Sequence, residues 1–191
     1  MPSNYPSLAV SFNDIGTVYE KMNEYTQALL HYEKGLEIQQ AILPSNNPGL
    51  ASSYSHIGYI YEKSDEYTEA LSFHEKALEI RQTILPLNNS TIAYSHNNIG
   101  SVYEKMGEYS KALLSHEKAL EIQQKTLPSK HPDLAQSYSS IGYVYGKMYQ
   151  YSKARQYHQR AVDIGQQLLP PNHPHLQQWR KNLEYMKRKC N

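Results

Sequence analysis

Gly100-Ser101-Val102-Tyr103-Glu104-Lys105-Met106-Gly107-Glu108-Tyr109-Ser110-Lys111-Ala112 decides the fold, because its landmarks return along the chain at one spacing. Gly16, Gly58, Gly100 and Gly142 stand 42 residues apart, and so do Tyr19, Tyr61, Tyr103 and Tyr145. Ala28, Ala70, Ala112 and Ala154 keep the same step, as do Pro44, Pro86, Pro128 and Pro170. A fixed period of roughly 20 to 50 residues marks stacked supersecondary units, none of which buries its apolar face without a neighbour. The 191-residue chain is therefore expected to be an array, with four repeats at about 6–44, 48–86, 90–128 and 132–170 and a capping helix over 172–191.

Each repeat reads as two amphipathic helices. In the second, helix A over about Pro48 to Lys63 places Leu50, Tyr54, Ile57 and Tyr61 on one stripe, and Ala51 and Gly58 beside it let a partner approach. Helix B, about Glu66 to Ile84, does the same with Ala70, Leu71, His74, Ala77 and Leu78. Asn23, Asp65 and Gly107 fall at the A-to-B turn, where a left-handed residue is wanted. Tyr149 holds that place in the fourth repeat, so strain or a shifted turn is expected there. Pro48, Pro132 and Pro174 suit the first turn of a helix; Ser90 replaces them in the third repeat, after Asn89 as N-cap. His175 to Lys189 occupies the place of a fifth helix A, with Gln177 and Glu184 where Ala and Gly would stand, a pattern that suits a polar cap.

Composition narrows the function. Nineteen Lys and Arg nearly balance eighteen Asp and Glu, which gives no electrostatic case for nucleic acid or a membrane surface. The basic run Arg180, Lys181, Lys187, Arg188 and Lys189 reads as a solvated helix end near the negative pole of its dipole. A single cysteine, Cys190, points to a reducing compartment, the cytoplasm. No signal-like or membrane-length apolar run is visible. The sequons at Asn88 and Asn89 read as ordinary loop residues.

The columns resemble the tetratricopeptide repeat over essentially the whole chain. Tyr54, Ile57, Gly58 and Tyr61 match its helix A pattern, and Ala70 and Ala77 its helix B alanines. The resemblance implies an all-α, right-handed α-solenoid of helix-turn-helix repeats. The 42-residue period and the connection Leu-Glu-Ile-Gln-Gln-Lys-Thr-Leu-Pro-Ser-Lys-His-Pro-Asp-Leu-Ala, ending at Ala135, look like the kinesin-light-chain subgroup. His74, His116 and His158 depart from the family's aromatic column, where the first repeat keeps Tyr32. Gly35 replaces a helix B alanine, and Arg155 a leucine, so the last pair is expected to pack less tightly there.

No chemistry recurs with the repeat. His74-Glu75 and His116-Glu117 start like a zinc-protease helix, but Leu78 and Leu120 take the second histidine's place. The histidine column reads as packing, with a ladder that loosens the stack in mild acid. His173-Pro-His175 lacks a nearby thiol or carboxylate, and Gly146-Lys147-Met148 is no phosphate loop. No enzyme activity, metal or cofactor is expected.

The resemblance places helix A along a concave groove and selects Asn13 and Thr17, Ser55 and Tyr59, Asn97 and Ser101, and Ser139 and Tyr143. Glu20, Glu62 and Glu104 continue that face until Gly146 breaks the row. Amides and tyrosines there would hold a peptide or partner protein. The family's carboxylate clamp has no Lys or Arg at its matching places, Asn13, Thr17, His56, Tyr94 and Asn98; one repeat on, Ser55, Tyr59, Asn98, Gln136 and Ser140 fare no better. Chaperone tails are therefore disfavoured. The leading expectation is a non-catalytic interaction scaffold. Its alternatives are the cargo-binding segment of a kinesin light chain and the targeting array of a larger enzyme such as an ADP-ribosyltransferase. Residues 1–8 align with the inter-repeat loop at Leu43 to Leu50, so the chain is expected either to be the C-terminal piece of a longer array or to self-associate through the open face of its first helix A.

Overall fold

Two kinds of helix alternate in the computed structural model, which describes residues 5–190. The expected loop over residues 1–4 lies outside the described residues. The first unit, residues 1–86, holds α1 (Tyr5–Lys21), α2 (Tyr25–Ile42), α3 (Pro48–Lys63) and α4 (Tyr67–Ile84). The second, residues 87–191, holds α5 (Ser90–Lys105), α6 (Tyr109–Thr126), α7 (Pro132–Lys147), α8 (Tyr151–Leu168) and α9 (Pro174–Cys190). Among the described residues there are helices and turns and no strand, which makes the protein an all-α repeat array. Helices A are α1, α3, α5 and α7; helices B are α2, α4, α6 and α8.

The turns follow the residue types that stand at them. Asn23, Asp65 and Tyr149 adopt φ of 61°, 61° and 60°, and Gly107 adopts 76°. Tyr149 thus keeps the turn unshifted and carries the left-handed strain itself. Helices α3, α5 and α7 open on side-chain caps. Asn47 Oδ1 accepts from the Gly49 N–H at 2.8 Å, Asn89 Oδ1 from Thr91 at 2.8 Å, and His131 Nδ1 from Asp133 at 3.2 Å. His173 Nδ1 continues the same column, accepting from the His175 N–H at 3.3 Å. Residue His173 is therefore a helix cap, and among the described residues no cluster of His, Cys, Asp and Glu could hold a metal.

Each unit has its own core. In the first, Ala28, Tyr32 and Leu36 of α2 meet Leu50, Ile57 and Ile60 of α3 and Ala77 and Ile80 of α4. In the second, Leu134, Ile141 and Tyr145 of α7 pack with Ala154, Ala161 and Val162 of α8. Leu176, Trp179, Leu183 and Met186 of α9 complete that core, so the last helix presents a narrow apolar stripe inward and its polar remainder to solvent. Arg155 is exposed where Leu113 is half-buried, while Tyr151 and Tyr157 fill in around it. The repeat glycines have a steric cause: a Cβ at Gly100 would lie 2.7 Å from the His116 ring.

Candidate functional site

The inner columns of helix A are polar, and many of their side chains are committed to the fold. Asn97 Nδ2 donates to Ser137 Oγ at 3.2 Å, and Ser137 Oγ donates to Gln123 Oε1 at 2.7 Å. Asn13, Ser53 and Gln39 repeat this relay in the first unit at 3.3 and 2.7 Å. Such relays tie one helix A to the next through the helix B between them. Asn97 Oδ1 is also met, by His116, whereas Asn13 Oδ1 in the first unit is buried without a hydrogen-bond partner, which costs part of what that relay contributes.

The histidine column splits on what faces it. Nδ1 of His116 lies 2.9 Å from Asn97 Oδ1 and its Nε2 2.8 Å from Glu104 Oε1. Tyr32 plays this part in the first repeat, donating to Glu20 Oε2 at 2.7 Å and pairing with Thr17 Oγ1 at 3.1 Å. Burial, countered by Thr17 and reinforced by Glu20, holds its phenol above the ordinary range. His74 and His158 have no hydrogen-bond partner on either nitrogen. Burial pushes both down to about 4, helped at His74 by the Arg81 cation. In the fourth repeat Gly146 takes the place of the column's glutamate. A Cβ at Gly146 would lie 2.6 Å from Met186 Cε, so the cap helix fills that place with a thioether. The ladder expected from sequence is therefore two neutral packing rings and one hydrogen-bonded ring.

The eleven residues expected to line the groove accordingly separate into groups. Ser55 and Ser139 are buried. Asn13, Thr17, Glu20, Asn97 and Glu104 are half-buried and bonded within the fold. Glu62 and Ser101 are half-buried as well. Tyr59 and Tyr143 are exposed, each with a lysine over its ring: Lys63 at 5.0 Å and Lys147 at 5.2 Å from the centroid.

Open space lies one residue further round the helix. In the second unit a cleft of about 410 Å³ is lined by Tyr94, Asn98, Gln136 and Ser140 with the edges of Asn97, Ser101 and Glu104. A second, of about 480 Å³, shares Glu104, Gln136 and Ser140 with it and runs past Tyr143 to His175, Gln178, Trp179 and Asn182. Together they form one groove across α5, α7 and α9. Its walls are two columns at the repeat spacing, Tyr94, Gln136 and Gln178, then Asn98, Ser140 and Asn182. Sequence analysis considered four of these positions only as carriers of a cationic clamp. The usable signal was the periodicity itself, since polar or amphipathic residues return at both columns through α5, α7 and α9. Amides and hydroxyls dominate the lining, joined by the carboxylates of Glu104 and Asp133 and the His116 ring, with Lys105 as a cation at its edge. Such a surface can hydrogen-bond an extended backbone. No described helix is long and apolar enough to cross a membrane.

Comparison with solved structures gives the same architecture. A variant of a Podosopora anserina kinesin-light-chain-type protein with nearly identical TPR-like repeats superimposes with a TM-score of 0.85 at 21% identity, covering 100% of this chain and 89% of that one. BtubC from P. vanneervenii gives 0.85 at 22%, covering 97% and 74%. The apo form of RapI gives 0.78 at 19%, covering 94% and 48%. No curated protein sequence matches the chain. The tetratricopeptide repeat family model matches residues 7–83 and 91–167. With the repeat period, the paired helices and that match over most of its length, the chain belongs to the tetratricopeptide repeat family.

Proposed function

We propose that the chain is a non-catalytic binding module that holds an extended peptide or protein segment in the groove formed by α5, α7 and α9. The observation that carries this reading is the pair of polar columns open to solvent along that groove, with an exposed tyrosine, Tyr143, on its wall. Asn98, Gln136 and Asn182 present amides that can bond both the N–H and the C=O of an extended backbone, and tyrosine adds contact area at low entropic cost. The near balance of charge on the chain favours a ligand bound by shape and backbone rather than by net charge. Likeness to kinesin-light-chain-type structures favours, as a second reading, a segment that holds cargo for a larger assembly. The lone exposed Cys190 fits a reducing compartment such as the cytoplasm.

Selection from a random peptide library displayed on phage, with the full chain as bait, supplies the probe. Asn98→Ala with Tyr143→Ala should weaken the selected peptide about tenfold at unchanged helicity, since each lost hydrogen bond nets about 0.5–1.5 kcal/mol. Unchanged affinity in that double variant would move the site off this groove.

A further inference from the structure

The outer side of α1 carries a stripe that the groove reading does not use. Leu8, Ser11, Ile15, Val18 and Met22 follow one another at steps of three, four, three and four, the spacing of a two-helix seam. Leu8, Ile15, Val18 and Met22 are 46%, 40%, 57% and 61% exposed. Their equivalents in α3 are Leu50, Ser53, Ile57 and Ile60, exposed by 2%, 2%, 0% and 0% beneath α2. In α7 the equivalents Leu134, Ser137, Ile141 and Val144 are likewise buried. This stripe is thus the repeat's helix-receiving face, and on α1 it is open.

We propose that α1 pairs antiparallel with α1 of a second copy of the chain, Ile15 of each lying beside Val18 of the other. Charge selects this occupant and direction. Asp14 and Lys21 are exposed and flank the seam on the same side, one heptad apart. In an antiparallel pair like flanks face each other, so Asp14 of each copy meets Lys21 of the other, twice by symmetry. A parallel pair would instead set Asp14 against Tyr19, which packs on His31 with ring centroids 5.3 Å apart. The helix is about 25 Å long at 1.5 Å per residue, a short seam that fits a dimer of micromolar rather than nanomolar strength.

Sedimentation equilibrium of the full chain between about 5 and 200 μM tests this. The parent is expected to dimerise, and Val18→Glu to be monomeric with its helicity retained, because Val18 is 57% exposed and a charge there stays in water. Asp14→Lys should weaken the dimer about threefold to tenfold, the range of two exposed ion pairs, and adding Lys21→Asp to it should restore the parent constant. A monomeric parent at 200 μM, a dimer indifferent to Val18→Glu, or a charge swap without recovery would each overturn the proposal.

Discussion

His74 and His158 show how one residue type takes different parts within a single column. Each is fully enclosed, each lacks a partner, and burial sets each at about 4 against an ordinary 6.5. A depressed folded-state value means that the unfolded chain binds more protons between those limits. Stability is therefore complete above about pH 6.5 and is lost as the pH falls toward 4, by on the order of 3 kcal/mol per ring over the full range. Replacing His74 with Phe removes one such group while keeping a ring against Gly58, as Tyr32 does against Gly16. The drop in thermal midpoint between pH 7 and pH 5 should be smaller in His74→Phe than in the parent, and equal drops would refute the assignment. His116 does not belong in this test, because Asn97 and Glu104 hold both of its nitrogens. That division could not be read from the sequence, where the three histidines occupy equivalent places. At His158 it depends on Gly146 and Met186, residues 40 apart whose contact only the docked α9 creates.

At the scale of the elements the sequence was legible almost to the residue, for physical reasons. Prolines and left-handed residues are punctuation with a steric cause, and four copies of each mark averaged out local exceptions. Helix B of the second repeat was expected from Glu66 and begins at Tyr67; α9 begins at Pro174, one of the prolines read as first-turn residues. Caps at His131 and His173 were missed because histidine is an uncommon cap, whereas Asn47 is of a favoured cap type and was legible. Among the described turns with a non-glycine residue at positive φ, the α7–α8 turn carries the most strain, because Tyr149, 79% exposed at φ 60°, lacks the short polar side chain that eases Asn23 and Asp65 into this region. Its ring has only an edge contact to Tyr151, with centroids 6.2 Å apart. Tyr149→Gly should stabilise the protein by about 0.5–1 kcal/mol, because glycine occupies this region without a Cβ penalty. Chemical denaturation reads the change directly, and a lower midpoint at unchanged slope would show that the edge contact outweighs the strain.

For the molecule as a whole, the columns selected from the sequence and the columns that line the open cleft lie one helical position apart. Asn97 and Asn98 are adjacent in sequence but about 100° apart around α5. Asn97 turns into the relay with Ser137 and His116, and Asn98 faces the cleft. Which of two polar neighbours the fold consumes depends on the helix B residue opposite, a contact between repeats that no single helix reveals. Tyr143, by contrast, was legible because a large ring followed one turn later by Lys147 has no reason to be polar-flanked inside a core. The groove across α5, α7 and α9 is the central claim. Hydrogen–deuterium exchange of the full chain, with and without a phage-selected peptide at saturation, tests it most directly. New protection concentrated in α5, α7 and α9, with α6 and α8 unchanged, is the predicted result; protection confined to α6 and α8 would contradict it.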